Sequence, residues 1–182
     1  AACRERGLKL FVDGARLAYS LASPANDVSL ADVARLSDVF YIGGTKCGTL
    51  FGEAVVIPDG GSIRQFVTQM KQHGALLAKG RLLGVQFEAL FEDDLYLTLG
   101  APGVAATKRI REALIRAGYV VTMDSPTNLT FVALDQAGHE RLSRRVQYGI
   151  WETLPDGRLL ARFCTSWGTP EEDIKAFEAA LA

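Results

Sequence analysis

Two nearly continuous apolar runs, residues 8–13 (LKLFVD) and 39–42 (VFYI), stand on either side of a segment that carries its own helix signals. Short runs without polar alternation suit strands buried on both faces of a parallel sheet. Parallel neighbours need a crossover between them, and Ser29 followed by Asp32 marks the start of a helix over 30–36 that can provide it. Residues 53–58 (EAVVIP) read as a third strand, so the first sixty residues predict an α/β sheet of strands joined by helical crossovers. Each of the first two strands ends in chemically capable residues. LFVDGAR (10–16) delivers Asp13 and Arg16, and FYIGGTKCG (40–48) delivers Lys46 among Gly43, Gly44, Thr45 and Gly48. The carboxyl ends of strands in an open α/β sheet border the crevice where ligands bind.

An acid at one strand end and a lysine in a glycine-rich turn at the next meet the requirements of a pyridoxal phosphate (PLP) site. The lysine amine forms a Schiff base with the cofactor, and the carboxylate pairs with the protonated pyridine nitrogen. Desolvation would favour the neutral, nucleophilic amine of Lys46. The glycines would let backbone approach a cofactor closely, and Thr45 could donate its hydroxyl to a phosphate. Each residue also has a plain structural reading. Lys46 suits a surface turn, Asp13 a helix cap, and Arg16 a salt bridge with Asp13. Arg162 lies in the apolar run LLARFCTSW (159–167) and needs an anionic partner, for which a substrate carboxylate is one candidate. It could also be an outward strand residue sharing a face with Arg158.

Downstream, residues 62–73 predict an amphipathic helix ended by Gly74, and a second helical run covers about 76–99. Pro102 marks a boundary. A smaller α/β unit follows: a helix over 104–117, strands over 119–123 and 129–134, a helix over 138–147, a hairpin of 150–154 with 158–163 around PDG, and a last helix from Thr169–Pro170. The 182 residues are 48% hydrophobic, enough for a substantial core. Twenty basic residues against 21 acidic ones leave no electrostatic footprint for nucleic acid or an anionic membrane. No apolar run approaches a membrane span, and three scattered cysteines fit a reducing, cytoplasmic setting. Two distant histidines and no cysteine cluster argue against a metal. The sequence opens without a helix-start signal, and the chain is expected to begin inside a larger protein.

VDGARL (12–17), SDVFYIGGTKCGTLFGEAVV (37–56), KGRLLGVQF (79–87) and RFCTSW (162–167) together resemble the fold-type I PLP enzymes, and more narrowly the threonine aldolase and β-eliminating lyase family. The resemblance covers nearly the whole chain but only the C-terminal part of such an enzyme. It implies part of an aspartate aminotransferase-like PLP-transferase large domain over 1–75, a long linking helix over 76–101, and a small C-terminal α/β domain over 102–182. It implies that Lys46 carries the cofactor, that Asp13 pairs with the pyridine nitrogen, and that Thr45 stands beside the lysine at the cofactor. Arg16 would lie near the ring oxygen and the substrate carboxylate, and Arg162 would hold that carboxylate. The family's phosphate-binding glycine turn and ring-stacking histidine precede its DGAR strand and are not in this chain.

The resemblance further implies a PLP-dependent lyase that cleaves the Cα–Cβ bond of a β-hydroxy amino acid, L-threonine to glycine plus acetaldehyde, in a homodimer or homotetramer. β-Elimination or transamination on the same scaffold, and a non-catalytic α/β domain, are the alternatives.

Overall fold

The computed structural model describes residues 2–182. The chain divides into two compact units, one of Ala1–Leu21 with Asp27–Thr98 and one of Ala22–Asn26 with Leu99–Ala182.

In the first unit, helix α1 (Ala2–Glu5) ends as Gly7 turns to a φ of 64° and the Leu8 N–H donates to Cys3 O at 2.8 Å. Strand β1 (Phe11–Val12) follows, then α2 (Leu17–Leu21), α3 (Leu30–Leu36) and β2 (Val39–Gly43). Ser29 and Asp32 form the capping box of α3 through reciprocal bonds. β1 and β2 pair in parallel, Phe11 opposite Val39 and Val12 opposite Phe40. The first strand is shorter than the 8–13 predicted. It is an edge strand here, with Leu8 and Phe11 about 60% exposed, and at Leu10 the ladder gives way to Asp38. The Asp38 carboxylate accepts from Leu10 N at 2.8 Å, and Leu10 O accepts from Asp38 N at 2.9 Å.

β3 (Glu53–Val56) departs from the predicted crossover pattern: it runs antiparallel to β2, from Phe40 opposite Val56 to Gly43 opposite Glu53. Residues 44–52 are too few for a parallel crossover, which takes about a dozen or more, so the chain doubles back. After α4 (Phe66–Gln72), the helical run predicted over 76–99 is two helices. α5 (Arg81–Phe91) stops at a 3-10 turn, Glu92–Asp94, where Asp93 and Asp94 take left-handed φ values of 51° and 58°. α6 (Leu95–Arg116) then passes through Pro102, which was expected to bound an element. Proline removes the bond its N–H would have made to Thr98 O, one turn back, where the two units divide.

The second unit builds a four-stranded antiparallel sheet in the order β4 (Val120–Val121), β5 (Leu129–Leu134), β7 (Leu159–Cys164), β6 (Gly149–Thr153). α6, α7 (Gln136–Ser143) and α8 (Glu171–Leu181) supply its helices. Ile110, Leu114, Val132, Leu142, Phe163 and Ile174 anchor one apolar core. The β6–β7 hairpin turns at Gly157, φ 84°, with Leu154 N donating to Arg158 O at 2.8 Å. α7 begins two residues earlier than read, because the Asp135 carboxylate caps it by accepting from Gly138 N at 2.7 Å. No helix among the described residues is long and apolar enough to cross a membrane.

Candidate functional site

Parallel pairing brings the carboxyl ends of β1 and β2 to one sheet edge, so residues 13–16 and 43–46 emerge side by side. The junction is built on close backbone approach. Gly43 N donates to Gly14 O at 2.9 Å. A Cβ on Gly14 would lie 1.8 Å from Tyr41 O, and one on Gly43 would lie 2.4 Å from Ala15 O. Neither position has room for a side chain.

Asp13 sits at the end of β1 with its carboxylate exposed. Its Oδ1 accepts from Ala15 N at 3.0 Å, and the Tyr41 hydroxyl donates a short hydrogen bond to the same oxygen. The Tyr41 bond, then the Ala15 bond, hold Asp13 below the usual carboxylate range, with smaller help from the charges of Lys46 and Arg16. The same bond pushes the Tyr41 phenol up to about 12, so it remains a donor at neutral pH. Asp13 therefore caps the turn after β1, as its structural reading expected, and is held ionised. Arg16 makes no ion pair with Asp13 among the described residues. It is half-buried, and its Nε is buried without a hydrogen-bond partner.

Lys46 lies in the turn over 45–48 and is exposed, so the unit's own residues do not bury it as the sequence reading expected. The backbone around it is held from four directions. Buried Tyr19 donates to Lys46 O at 2.6 Å. Glu53, opposite Gly43 in the hairpin register, accepts from Gly44 N at 2.6 Å and from the Thr45 hydroxyl at 2.6 Å. Gln86 of α5 accepts from Leu50 N at 2.8 Å and donates to Phe51 O at 3.2 Å. Tyr96, at the start of α6, donates to Gly43 O at 3.2 Å. The hydroxyl proton of Thr45 is engaged by Glu53, where the sequence had suggested a phosphate. Cys47 is fully buried, and burial pushes its thiol up, so it is packing and not a nucleophile.

In the second unit, Arg162 is half-buried in β7, with Phe131 and Gly149 opposite it on the two flanking strands. Its guanidinium lies 4.7 Å from the centroid of the Trp151 ring and forms no ion pair among the described residues. The structure thus brings Asp13, Arg16, Thr45 and Lys46 to one edge of the first unit and sets Arg162 on the sheet of the second. Sequence reasoning missed Tyr41, Glu53 and Trp151. Extending the parallel register by one residue puts Tyr41 beside Asp13, and that register was the available signal for it.

Comparison with known proteins gives first a class. A solved structure described as SPT with PLP internal aldimine has a TM-score of 0.61 and 16% identity, covering 98% of this chain and 48% of its own, so the fold is shared. A threonine aldolase of Leishmania major matches with a TM-score of 0.91 and 42% identity, over 99% of this chain and 53% of its own. The low specificity L-threonine aldolase of Pseudomonas aeruginosa is 29% identical over 180 residues, 96% of this chain and 50% of its own length. The chain spans about half the length of these relatives. The family model of the beta-eliminating lyases matches residues 1–146, and the chain belongs to that family.

Proposed function

We propose that this chain is part of a PLP-dependent lyase that cleaves the Cα–Cβ bond of a β-hydroxy amino acid, L-threonine to glycine and acetaldehyde. The observation that carries the proposal is the convergence of an ionised Asp13 and the Lys46 turn at one glycine-lined sheet edge. The residues present fit the cofactor: Asp13 is an acceptor already held ionised, and Arg16 keeps a buried Nε–H without a partner.

Bound PLP supplies an electron sink for the pair released when a bond to the substrate α-carbon breaks. Lys46 provides the amine that attaches the cofactor. Asp13 would accept from the protonated pyridine nitrogen of the bound cofactor, with Tyr41 keeping that carboxylate from taking a proton of its own. Arg16 offers its free donors to cofactor and substrate oxygens. Thr45 stands at the cofactor beside Lys46 and, through Glu53, stiffens the turn that aims the lysine. Arg162 grips the substrate carboxylate in a two-pronged bond, which fixes the bond at the α-carbon that is aligned to break.

In this reading residues 1–75 belong to the cofactor-binding large domain, 76–101 form the helical link, and 102–182 form the small domain. The protein works as a cytoplasmic homodimer or homotetramer. Exposed apolar side chains at Phe11, Leu50, Phe51 and Val55 support a covered surface in the complete assembly. The family's description favours a second reading, β-elimination.

Incubating the intact, PLP-loaded protein with L-threonine and with L-serine separates the two. Glycine plus acetaldehyde from threonine supports aldol cleavage. Pyruvate plus ammonia from serine, without acetaldehyde from threonine, supports elimination. Neither pair of products would sink both.

A further inference from the structure

An arginine that recognises a carboxylate has to present the in-plane edge of its guanidinium, because all five N–H donors lie in that plane. It also has to be kept from folding onto a neighbouring acid. β6 and β7 meet both needs at Arg162. The guanidinium carbon sits 4.7 Å from the Trp151 ring centroid, and Trp151 in turn meets Phe131 edge-on, with centroids 6.1 Å apart and planes at 79°. Phe131 is buried and directly opposite Arg162 on β5. On the other side Arg162 faces Gly149, where no side chain competes for the space above the sheet and an added Cβ would meet nothing within 4 Å. The β6–β7 register then slips between Ile150 and Glu152, so Trp151 is the bulged residue. A bulge re-aims the side chain it carries. Trp151 is 56% exposed although its ring packs against buried Phe131, so much of the indole faces outward.

We propose that Trp151 is a positioning residue for substrate recognition: its ring holds the Arg162 guanidinium by its face, leaving the hydrogen-bonding edge open to the carboxylate of an amino-acid substrate. The inference rests on the assignment of Arg162 to that carboxylate. A cation over an indole face is held electrostatically and by dispersion, and neither interaction uses an N–H donor. Gly149 and the bulge give the indole its place, and Phe131 fixes its tilt.

The test uses the intact, PLP-loaded protein with Trp151→Leu, Trp151→Phe and Arg162→Leu. Cofactor absorbance and melting temperature report whether each variant keeps its fold. Two equilibrium titrations, followed through the cofactor spectrum, report recognition: glycine, which has a carboxylate, and ethanolamine, which lacks one. Trp151→Leu is expected to weaken glycine about tenfold and to leave ethanolamine within about twofold. KM for L-threonine should rise by a similar factor with kcat little changed, and Trp151→Phe should recover much of the loss because it keeps an aromatic face. Equal weakening of both ligands would overturn the inference in favour of a structural role. If Arg162→Leu weakens glycine and Trp151→Leu does not, the inference fails while the assignment of Arg162 stands. If Arg162→Leu leaves glycine unchanged, that assignment falls and takes the inference with it. Should Trp151→Leu not fold, the graded comparison of native protein, Trp151→Tyr and Trp151→Phe decides by the same ligand pair.

Discussion

Gly14→Ala is the smallest change that should dismantle the proposed cofactor edge. A methyl group at residue 14 would sit 1.8 Å from Tyr41 O, and real Cβ atoms essentially never approach below 3.0 Å, so the two strand ends must part by about 1.2 Å. The atom in the way is backbone, which cannot rotate aside as a side chain would. The retreat would break the 2.9 Å bond from Gly43 N to Gly14 O and move Tyr41, the donor to Asp13. Forcing one extra carbon into such a contact costs about 1–3 kcal/mol of folding stability. Misplacing reacting groups by about 1 Å costs roughly a hundredfold in rate, equivalent to about 2.7 kcal/mol of transition-state stabilisation. In the intact protein, Gly14→Ala should therefore lower kcat/KM for L-threonine about a hundredfold and weaken PLP binding, measured by equilibrium dialysis. Gly60→Ala is the control, since a Cβ there meets nothing within 4 Å. Full PLP occupancy and a kcat/KM within about twofold of native in Gly14→Ala would refute the argument that this contact sets the site's geometry.

Three further outcomes follow from the same structure. Asp13 is depressed first by the Tyr41 hydroxyl, so its ionised form favours the folded site above the unfolded value near pH ~4, and that contribution is lost as pH falls through the lower folded value. Tyr41→Phe raises the folded value, so acid release of PLP, followed by absorbance, should begin at higher pH than in the native protein; superimposable titrations would contradict this. Asn128 is 1% exposed and donates to Thr165 O at 2.7 Å, and Asn128→Ala leaves that carbonyl only the weak Cys164 thiol donor at 3.6 Å, at a cost of about 1–3 kcal/mol in urea unfolding. A loss below about 0.5 kcal/mol would show that water or relaxation replaces the bond. Glu53→Ala frees Gly44 N and Thr45, so the Lys46 turn should exchange its amide protons faster, with the Gly44 amide affected most.

The strand ends were legible because apolar runs that stop abruptly at Asp13 and at Gly43, just before Lys46, are local patterns, and the glycines beside them mark close backbone approach. The α3 capping box and the Gly157 hairpin were legible for the same reason. Features that depend on pairing were not. The direction of β3 follows from how few residues separate it from β2, yet its composition is that of either kind of strand. The continuity of α6 through Pro102 runs against proline's local preference and is set by the surrounding fold. Tyr41, Glu53 and Trp151 act on residues that only strand register brings near them, so each reads as an ordinary strand residue until the ladder is known.

The central claim is that Lys46 is where the cofactor is attached. Borohydride reduction of the intact, PLP-loaded protein, followed by proteolysis and mass spectrometry, tests it without reference to turnover. The account predicts a pyridoxyl group fixed on the peptide that contains Lys46, and none in Lys46→Ala. A label on a different lysine, or an unlabelled protein that still binds PLP, would contradict it.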